Sequence, residues 1–309
     1  AIQAQKLQEQ IATLYIQICY STEAINVNKE SYKSSLENEE RGKEMVKIGK
    51  MSQADLAQLT AQRAQDEYSI VESESNVKNY KRQLKELLQI TNDEAFDIVV
   101  PTASDAQALG TIPSLNSVYA SALDTRPEIK SYQNMIDQSD LNIAIAKAGK
   151  LPTISANAGI STSTTSMNKD GWGSQIKQNF GVGGGISVSI PICDNRATKT
   201  AINKANIQKQ SSMLDLKDQQ TKLYSTIENY WLQANTNQSQ FKAAKTSTES
   251  AKTSYDLLSE QFKLGLKNIV ELRTGKDNLL KAQQNELQSK YLTLLNMGML
   301  NFYKTGRVE

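Results

Sequence analysis

The stretch Asn179 to Cys193 reads NFGVGGGISVSIPIC. From Phe180 every second position is apolar or glycine: Phe180, Val182, Gly184, Ile186, Val188, Ile190 and Ile192. Between them stand Gly181, Gly183, Gly185, Ser187, Ser189 and Pro191. A period of two sends alternate side chains to opposite faces of a β-strand, here one oily and one polar or crowded. Leu151 to Ser166 alternates more weakly, with Ile154, Ala156, Ala158 and Ile160 set against Thr153, Ser155, Asn157 and Ser161. The segment between, MNKDGWGSQIKQ, is polar and carries glycine. The pair therefore predicts a hairpin of strands of about 13 residues with a long exposed loop. The same alternation also suits a hairpin packed on a soluble core.

Outward from this hairpin the chain reads as long helices. Leu7, Ile11, Leu14, Ile18, Ser21, Ile25, Asn28 and Tyr32 step by four and three, a heptad-like seam. Gly49 ends that helix, and Ser52 caps a second running to about Leu88. A third helix spans Ser114 to about Gly149, with a break at Arg126-Pro127. After the hairpin, Asp194-Asn195 can cap a helix. Its seam runs Leu223, Ile227, Tyr230, Ala234, Asn237, Phe241, Ala244, Thr248, Ala251, Tyr255, Leu258 and Phe262. At 1.5 Å per residue this helix is roughly 100 Å long. A return helix follows, with Leu280, Leu287 and Leu294 seven apart.

The two helical hairpins are one unit used twice. KIGKMSQADL (Lys47 to Leu56) lies on KLGLKNIVEL (Lys263 to Leu272) at an offset of 216, without a gap. Leu7 falls on Leu223, Gly49 on Gly265 and Asp55 on Glu271. Fixed-offset self-similarity marks a repeat architecture. The second copy is preceded by a helix and two strands, so symmetry predicts roughly 100 residues with another β-hairpin ahead of Ala1. The expected division is residues 1–90, first helical hairpin; 91–113, linker or equatorial segment; 114–150, helix of the second repeat; 151–193, β-hairpin; 194–304, second helical hairpin; 305–309, tail.

Composition excludes several functions. Lys plus Arg is 35 against Asp plus Glu 33, and no basic run appears, so nothing suggests a nucleic-acid partner. Histidine is absent, which removes the commonest general base and metal ligand. Cys19 and Cys193 lack framework spacing, so no disulfide is expected. No apolar run reaches ~18 residues, so no transmembrane helix is expected. The glycines at 181 and 183–185 lack the lysine and Ser/Thr of a phosphate loop. Ser174-x-x-Lys177 lacks the companion motifs of a hydrolase. No enzyme, cofactor or metal is expected. Trp172 and Phe180 flank the loop as an interfacial aromatic girdle would.

Several of these pieces, taken in order, resemble the outer membrane efflux protein family, the TolC-like channels. They are Arg126-Pro127-Glu128-Ile129, Gly149-Lys150-Leu151-Pro152-Thr153-Ile154-Ser155, Ser187-Val188-Ser189-Ile190-Pro191-Ile192, and the turns at Gly49 and Gly265 with Ala54-Asp55-Leu56 and Val270-Glu271-Leu272. Cys193-Asp194-Asn195-Arg196 departs from the glycine pair common there. The resemblance implies a mainly α fold with a β-hairpin. Long antiparallel coiled-coil hairpins would form an α-barrel tunnel in the periplasm, and the strands a trimeric transmembrane β-barrel in outer membrane lipid.

It further implies a homotrimeric exit duct for drugs and toxic compounds, working with a periplasmic adaptor and an inner-membrane pump. Phe180, Val182, Ile186, Val188 and Ile190 would face lipid, and Ser187, Ser189, Thr153, Ser155 and Asn157 the lumen. The turns at Gly49 and Gly265 would dock the adaptor. Glu271 and Asp55 would line the aperture as rings of like charge, with Lys267 and Phe262 holding it shut. Thr274 stands where the family often has a further acid. An acid in the first turn of a helix is also favoured by the helix dipole alone, which is the competing account of Asp55 and Glu271. Rival readings are a soluble coiled-coil scaffold and a periplasmic adaptor subunit. An adaptor would carry one helical hairpin, not two at a fixed offset.

Overall fold

The computed structural model describes residues 1–91, 96–101 and 103–307. The expected linker at 91–113 and tail at 305–309 therefore lie partly outside the described residues. The elements in order are α1 (Ile2–Lys47), α2 (Gln53–Leu87), α3 (Asp105–Ala108), α4 (Leu115–Thr125), α5 (Pro127–Ala148), β1 (Thr153–Ser161), α6 (Trp172–Gln178), β2 (Gly181–Ser189), α7 (Ala197–Lys263) and α8 (Ile269–Thr305). They fall into two compact units, Ala1–Glu128 with Gln220–Glu309, and Ile129–Gln219.

In the first unit α1 packs along α2, and α8 packs on α1 and α4. The core is a series of small clusters strung along the helices, as seams of one or two apolar residues per turn dictate. One cluster gathers Ile18, Val77 and Leu84. Another gathers Cys19, Leu287 and Tyr291. A third, next to the turns, joins Leu59 of α2 to Tyr255, Phe262, Ile269 and Leu272. Each such side chain contributes about 1.5–3 kcal/mol by leaving water.

The two copies of the repeat share a contact with its partners exchanged. A Cβ built on Gly42 of α1 would lie 2.6 Å from Leu59 Cδ1 of α2. A Cβ built on Gly275 of α8 would lie 2.6 Å from Leu258 Cδ1 of α7. At an offset of 216, Gly42 corresponds to Leu258 and Leu59 to Gly275. Each copy therefore sets a leucine knob into a glycine hole, but on opposite helices.

Residues 96–113 differ from a bare linker. Phe96, Ile98 and Val100 pack on the Ile18 cluster. Asp97 pairs with Lys81 at 2.7 Å, and Val99 O accepts from the Tyr15 hydroxyl at 3.1 Å. Ser104 caps α3 with a capping box completed by Gln107. Asp105 pairs with Lys245 at 2.6 Å and Lys290 at 3.3 Å. Gln238 Nε2 donates to Ala108 O and Gly110 O. The described residues of this segment form a strap tied to four helices by apolar packing, ion pairs and backbone carbonyls. Its partners lie too far along the chain for local sequence to show them.

Between α4 and α5, Arg126 has extended backbone and Pro127 begins the next helix. Arg126 is buried. Its guanidinium lies 4.4 Å from the Tyr303 ring centroid and 5.2 Å from that of Phe302. Its Nη2 bonds Glu9 and Glu128 at 3.3 and 3.1 Å.

In the second unit β1 and β2 form an antiparallel ribbon of nine residue pairs. The strands are thus shorter than the 13 residues read from the alternation. Phe180 and Ile190 lie one residue outside the ladder at either end of β2. Pro191 has no N–H to continue the pairing. The loop also differs from expectation, because it contains α6 and folds on itself around Gln175, which is 1 % exposed. Gln175 Oε1 accepts from Thr165 N at 2.8 Å, and its Nε2 donates to Asp170 O at 2.7 Å. One amide doing the work of a core leaves no apolar period in the sequence to reveal it.

Candidate functional site

Two regions carry the sequence-derived site residues, the ribbon and the helical turns. The ribbon's register decides its character. Directly opposed residues on antiparallel strands share a face. Ile154 faces Val188, Ala156 faces Ile186, Ala158 faces Gly184 and Ile160 faces Val182. On the other face Thr153 meets Ser189, Ser155 meets Ser187 and Asn157 meets Gly185. The oily set of one strand is thus matched to the oily set of the other.

Both faces are uncovered: Val188 is 59 % exposed and Ile186 78 %. Val188 and Ile190 are thus exposed, unlike the inward strand residues of a hairpin packed on a soluble core. Each strand also has a single neighbour among the described residues, which leaves one row of backbone donors and acceptors open on either side.

The two turns are built alike. In the first, Gly49 N bonds Val46 O and Lys50 N bonds Met45 O. In the second, Gly265 N bonds Phe262 O and Leu266 N bonds Gln261 O. Gly49 and Gly265 have φ of 73° and 74°, which only glycine adopts without strain. Each following helix opens on a side-chain cap. Ser52 Oγ accepts from Asp55 N at 3.0 Å and donates to Asp55 Oδ2 at 2.8 Å. Asn268 Oδ1 accepts from Glu271 N at 2.9 Å, while Glu271 Oε2 accepts from Asn268 N at 3.3 Å. Ile48, Leu264, Leu266 and Val270 project from these turns into solvent.

Glu271 is also held by Lys267, whose Nζ donates to Oε1 at 2.5 Å. Lys267, followed by the Asn268 backbone, keeps the Glu271 carboxyl below the usual glutamate range. Lys267 and Glu271 are thus brought together as a pair, which reduces the free charge of any acidic ring. Phe262 is buried against Leu59 of the other hairpin's α2. The exposed Thr274 spends its hydroxyl on Val270 O at 2.8 Å. Asp55 and Glu271 sit in first turns, where the dipole and the cap already favour an acid.

The sequence reading missed a buried polar layer near the turns. Lys276 of α8 enters the first hairpin and donates to Asp66 Oδ2, Ser35 Oγ and Ser31 O. Gln62 also bonds Asp66 at 3.2 Å. Burial pushes the Lys276 ammonium below the usual lysine range, against the pull of Asp66. Glu39, also buried, takes Arg63 at 2.8 Å, Lys43 at 3.2 Å and Thr60 at 3.0 Å. Burial alone would raise its carboxyl, but bonds from Lys43 and Thr60 outweigh it and hold the group low. Tyr255 hydroxyl meets Ser34 Oγ at 2.7 Å and Asn38 Nδ2 at 3.3 Å. One signal was available: Ser21, Asn28, Ser35 and Gly42 recur every seven residues and are all buried in α1.

Tandem helical hairpins with equivalent turns, and a two-faced ribbon with both faces exposed, define a mainly α protein bearing one β-hairpin. The outer membrane efflux protein profile matches residues 118–297, and the chain belongs to that family. The family is one of outer membrane efflux proteins.

The toxin and drug export protein A of Aggregatibacter actinomycetemcomitans is 23 % identical over 291 residues, covering 91 % of this chain and 60 % of that protein. The outer membrane efflux protein BepC of Brucella suis biovar 1 is 23 % identical over 262 residues, covering 84 % and 54 %. The chain thus spans little more than half the length of these relatives. The crystal structure of CusC, described as forming a transmembrane channel, superposes with a TM-score of 0.79 at 16 % identity, covering 97 % of this chain and 68 % of that one.

Proposed function

We propose that the chain contributes to the passive exit duct of a tripartite efflux system, carrying small molecules such as drugs and toxic compounds across the periplasm and the outer membrane. The observation that carries this reading is the ribbon's register, which gathers one apolar and one polar face with neither covered and both edges open. In lipid each unpaired backbone group costs several kcal/mol, so such a ribbon is stable there only as part of a closed barrel. Closure requires sister ribbons, and a homotrimer supplies them. Val182, Ile186 and Val188 then face lipid, with Phe180 and Ile190 flanking the band. Ser187, Ser189, Thr153, Ser155 and Asn157 face the aqueous lumen.

The turns form the periplasmic mouth. Asp55 and the Lys267–Glu271 pair line the aperture, with Thr274 one helical turn further on. Phe262 fastens one hairpin to the other behind it. The exposed Ile48, Leu264, Leu266 and Val270 around Gly49 and Gly265 offer an apolar seat for an adaptor hairpin, and an inner-membrane pump supplies the energy. The test is reconstitution of the complete protein. Detergent-dependent extraction, a trimer on sizing and cation-selective single-channel conductance in planar bilayers are expected. A detergent-free monomer without conductance would leave the scaffold reading standing instead.

A further inference from the structure

β1 starts and β2 ends at the Thr153–Ser189 pair, where α5 runs in and α7 runs out. An open basin of about 550 Å³ lies at this foot of the ribbon, lined by Gly149, Lys150, Ile192, Cys193, Arg196 and Lys199. Gly149 lets the end of α5 approach the start of α7, since a Cβ built on it would lie 3.4 Å from Thr198 Oγ1. Cations from both sides of the corner therefore share one basin. Among them stands Ile192, 95 % exposed, and Leu151 beside Lys150 is 61 % exposed.

The carboxylate at this corner does not neutralise them. Asp194 Oδ2 accepts from Thr198 N at 2.8 Å and is spent on capping α7. Among the described residues no carboxylate pairs with Lys150, Arg196 or Lys199, whereas further along the same two helices Lys209 pairs with Asp140. Arg196 also stands at φ 65°, a left-handed conformation that glycine adopts without strain. Where the family commonly has a glycine pair, this chain has Asn195-Arg196. It keeps a guanidinium at a position where the backbone favours none, and strain of this kind gathers at ligand clamps.

We propose that this basin binds the phosphate of an anionic phospholipid in the periplasmic leaflet, with Arg196, Lys150 and Lys199 as its clamp. The inference rests on the reading that the ribbon stands in lipid. Tilted strands of nine residues just cross the hydrocarbon. Residues immediately beyond the Thr153–Ser189 pair then stand at the headgroup boundary. There Ile192 and Leu151 meet acyl chains while the cations meet phosphate, the division of labour of an interfacial segment. A guanidinium matches phosphate with two parallel hydrogen bonds, and the lysines add point charges. The occupant is a lipid because the cations adjoin exposed apolar side chains, which a free anion would leave in water.

The test uses the full-length protein in a non-ionic detergent with equimolar phosphatidylglycerol and phosphatidylcholine added. Native mass spectrometry counts the molecules of each lipid retained. The parent should retain phosphatidylglycerol in preference. Each cation near an anionic headgroup is worth about fivefold, the equivalent of about 1 kcal/mol. Arg196→Gln should therefore cut the preference about fivefold, Arg196→Lys should keep most of it, and Arg196→Gln with Lys150→Gln and Lys199→Gln should abolish it. Arg196→Gly should lose the preference while raising the melting temperature, a split that a merely structural arginine would not show. Conductance in phosphatidylcholine bilayers, expected unchanged in every variant, reports the duct separately. A parent without conductance would defeat the duct reading and this proposal with it. With conductance present, the proposal alone is overturned by equal retention of the two lipids, by an unchanged preference in the triple variant, or by release of phosphatidylglycerol to inorganic phosphate at the same concentration.

Discussion

The exchanged knob and hole can be tested by moving the exchange from one copy to the other. Gly42→Leu adds a side chain whose first carbon already stands 2.6 Å from Leu59 Cδ1. Overpacking costs about 3 kcal/mol at the upper end of its usual range, and loss of a helical glycine offsets about 1 kcal/mol of this. Leu59→Gly empties a buried leucine site, costing about 2–5 kcal/mol for the cavity and about 1 kcal/mol for the glycine.

Added independently, the two changes would cost about 6 kcal/mol by these estimates. Together they recreate the Leu258–Gly275 arrangement, with the glycine moved from α1 to α2 and the helix propensities cancelling. The double variant should lie within about 2 kcal/mol of the parent, a coupling of about 4 kcal/mol that far exceeds the ~0.5 kcal/mol of unlinked sites. Urea unfolding of the detergent-solubilised protein, followed by far-ultraviolet circular dichroism, measures all four corners of the cycle. Additivity of the two changes would refute the claim that both copies use one packing solution.

Three further outcomes concern a buried ion pair, a left-handed corner and a buried carboxylate. Lys276→Met leaves Asp66 buried without its cation and should cost about 3–5 kcal/mol, whereas Lys276→Met with Asp66→Leu should recover most of that; equal loss in both, by the same unfolding measurement, would contradict it. Asn195 and Arg196 both have positive φ, 49° and 65°, so Arg196→Gly should stabilise the strand-to-helix corner by about 0.5–1 kcal/mol, read as a raised melting temperature. Glu39 has a folded pKa held below its ordinary value of 4.5. Its contribution is complete above that pH and is lost as pH falls through the lowered value, so Glu39→Gln should flatten the stability profile on the acid side of 4.5.

The corner at Asn195-Arg196 shows how far local reading reaches. Its departure from a glycine pair was visible in the chain, and the backbone explains why glycine suits it: two successive residues turn left-handed. The turns at Gly49 and Gly265 were legible for the same reason, since a glycine that ends a helix with positive φ is a local motif. Glu271 was legible as a first-turn acid, but its pairing with Lys267 was not, because a side chain four positions away has several partners open to it. The Lys276–Asp66 contact was hidden altogether. Its members lie on elements far apart in the chain, and each alone reads as a solvated charge on a polar helix.

Period and repetition are backbone properties, and they are written into residue order. The four-three seams, the strand alternation and the offset of 216 follow from how often a helix or strand returns a side chain to one face. The residues alone therefore determined that this protein is a twice-used helical hairpin bearing a two-faced ribbon. Contacts between faces are different, because they depend on which surfaces the fold brings together. Only the tertiary structure decided that leucine and glycine trade places between copies, that Gln175 organises the loop, and that residues 96–113 form a strap. The physical reason is that a side chain's partner across a helix interface is set by distance in space, and sequence spacing does not encode that distance.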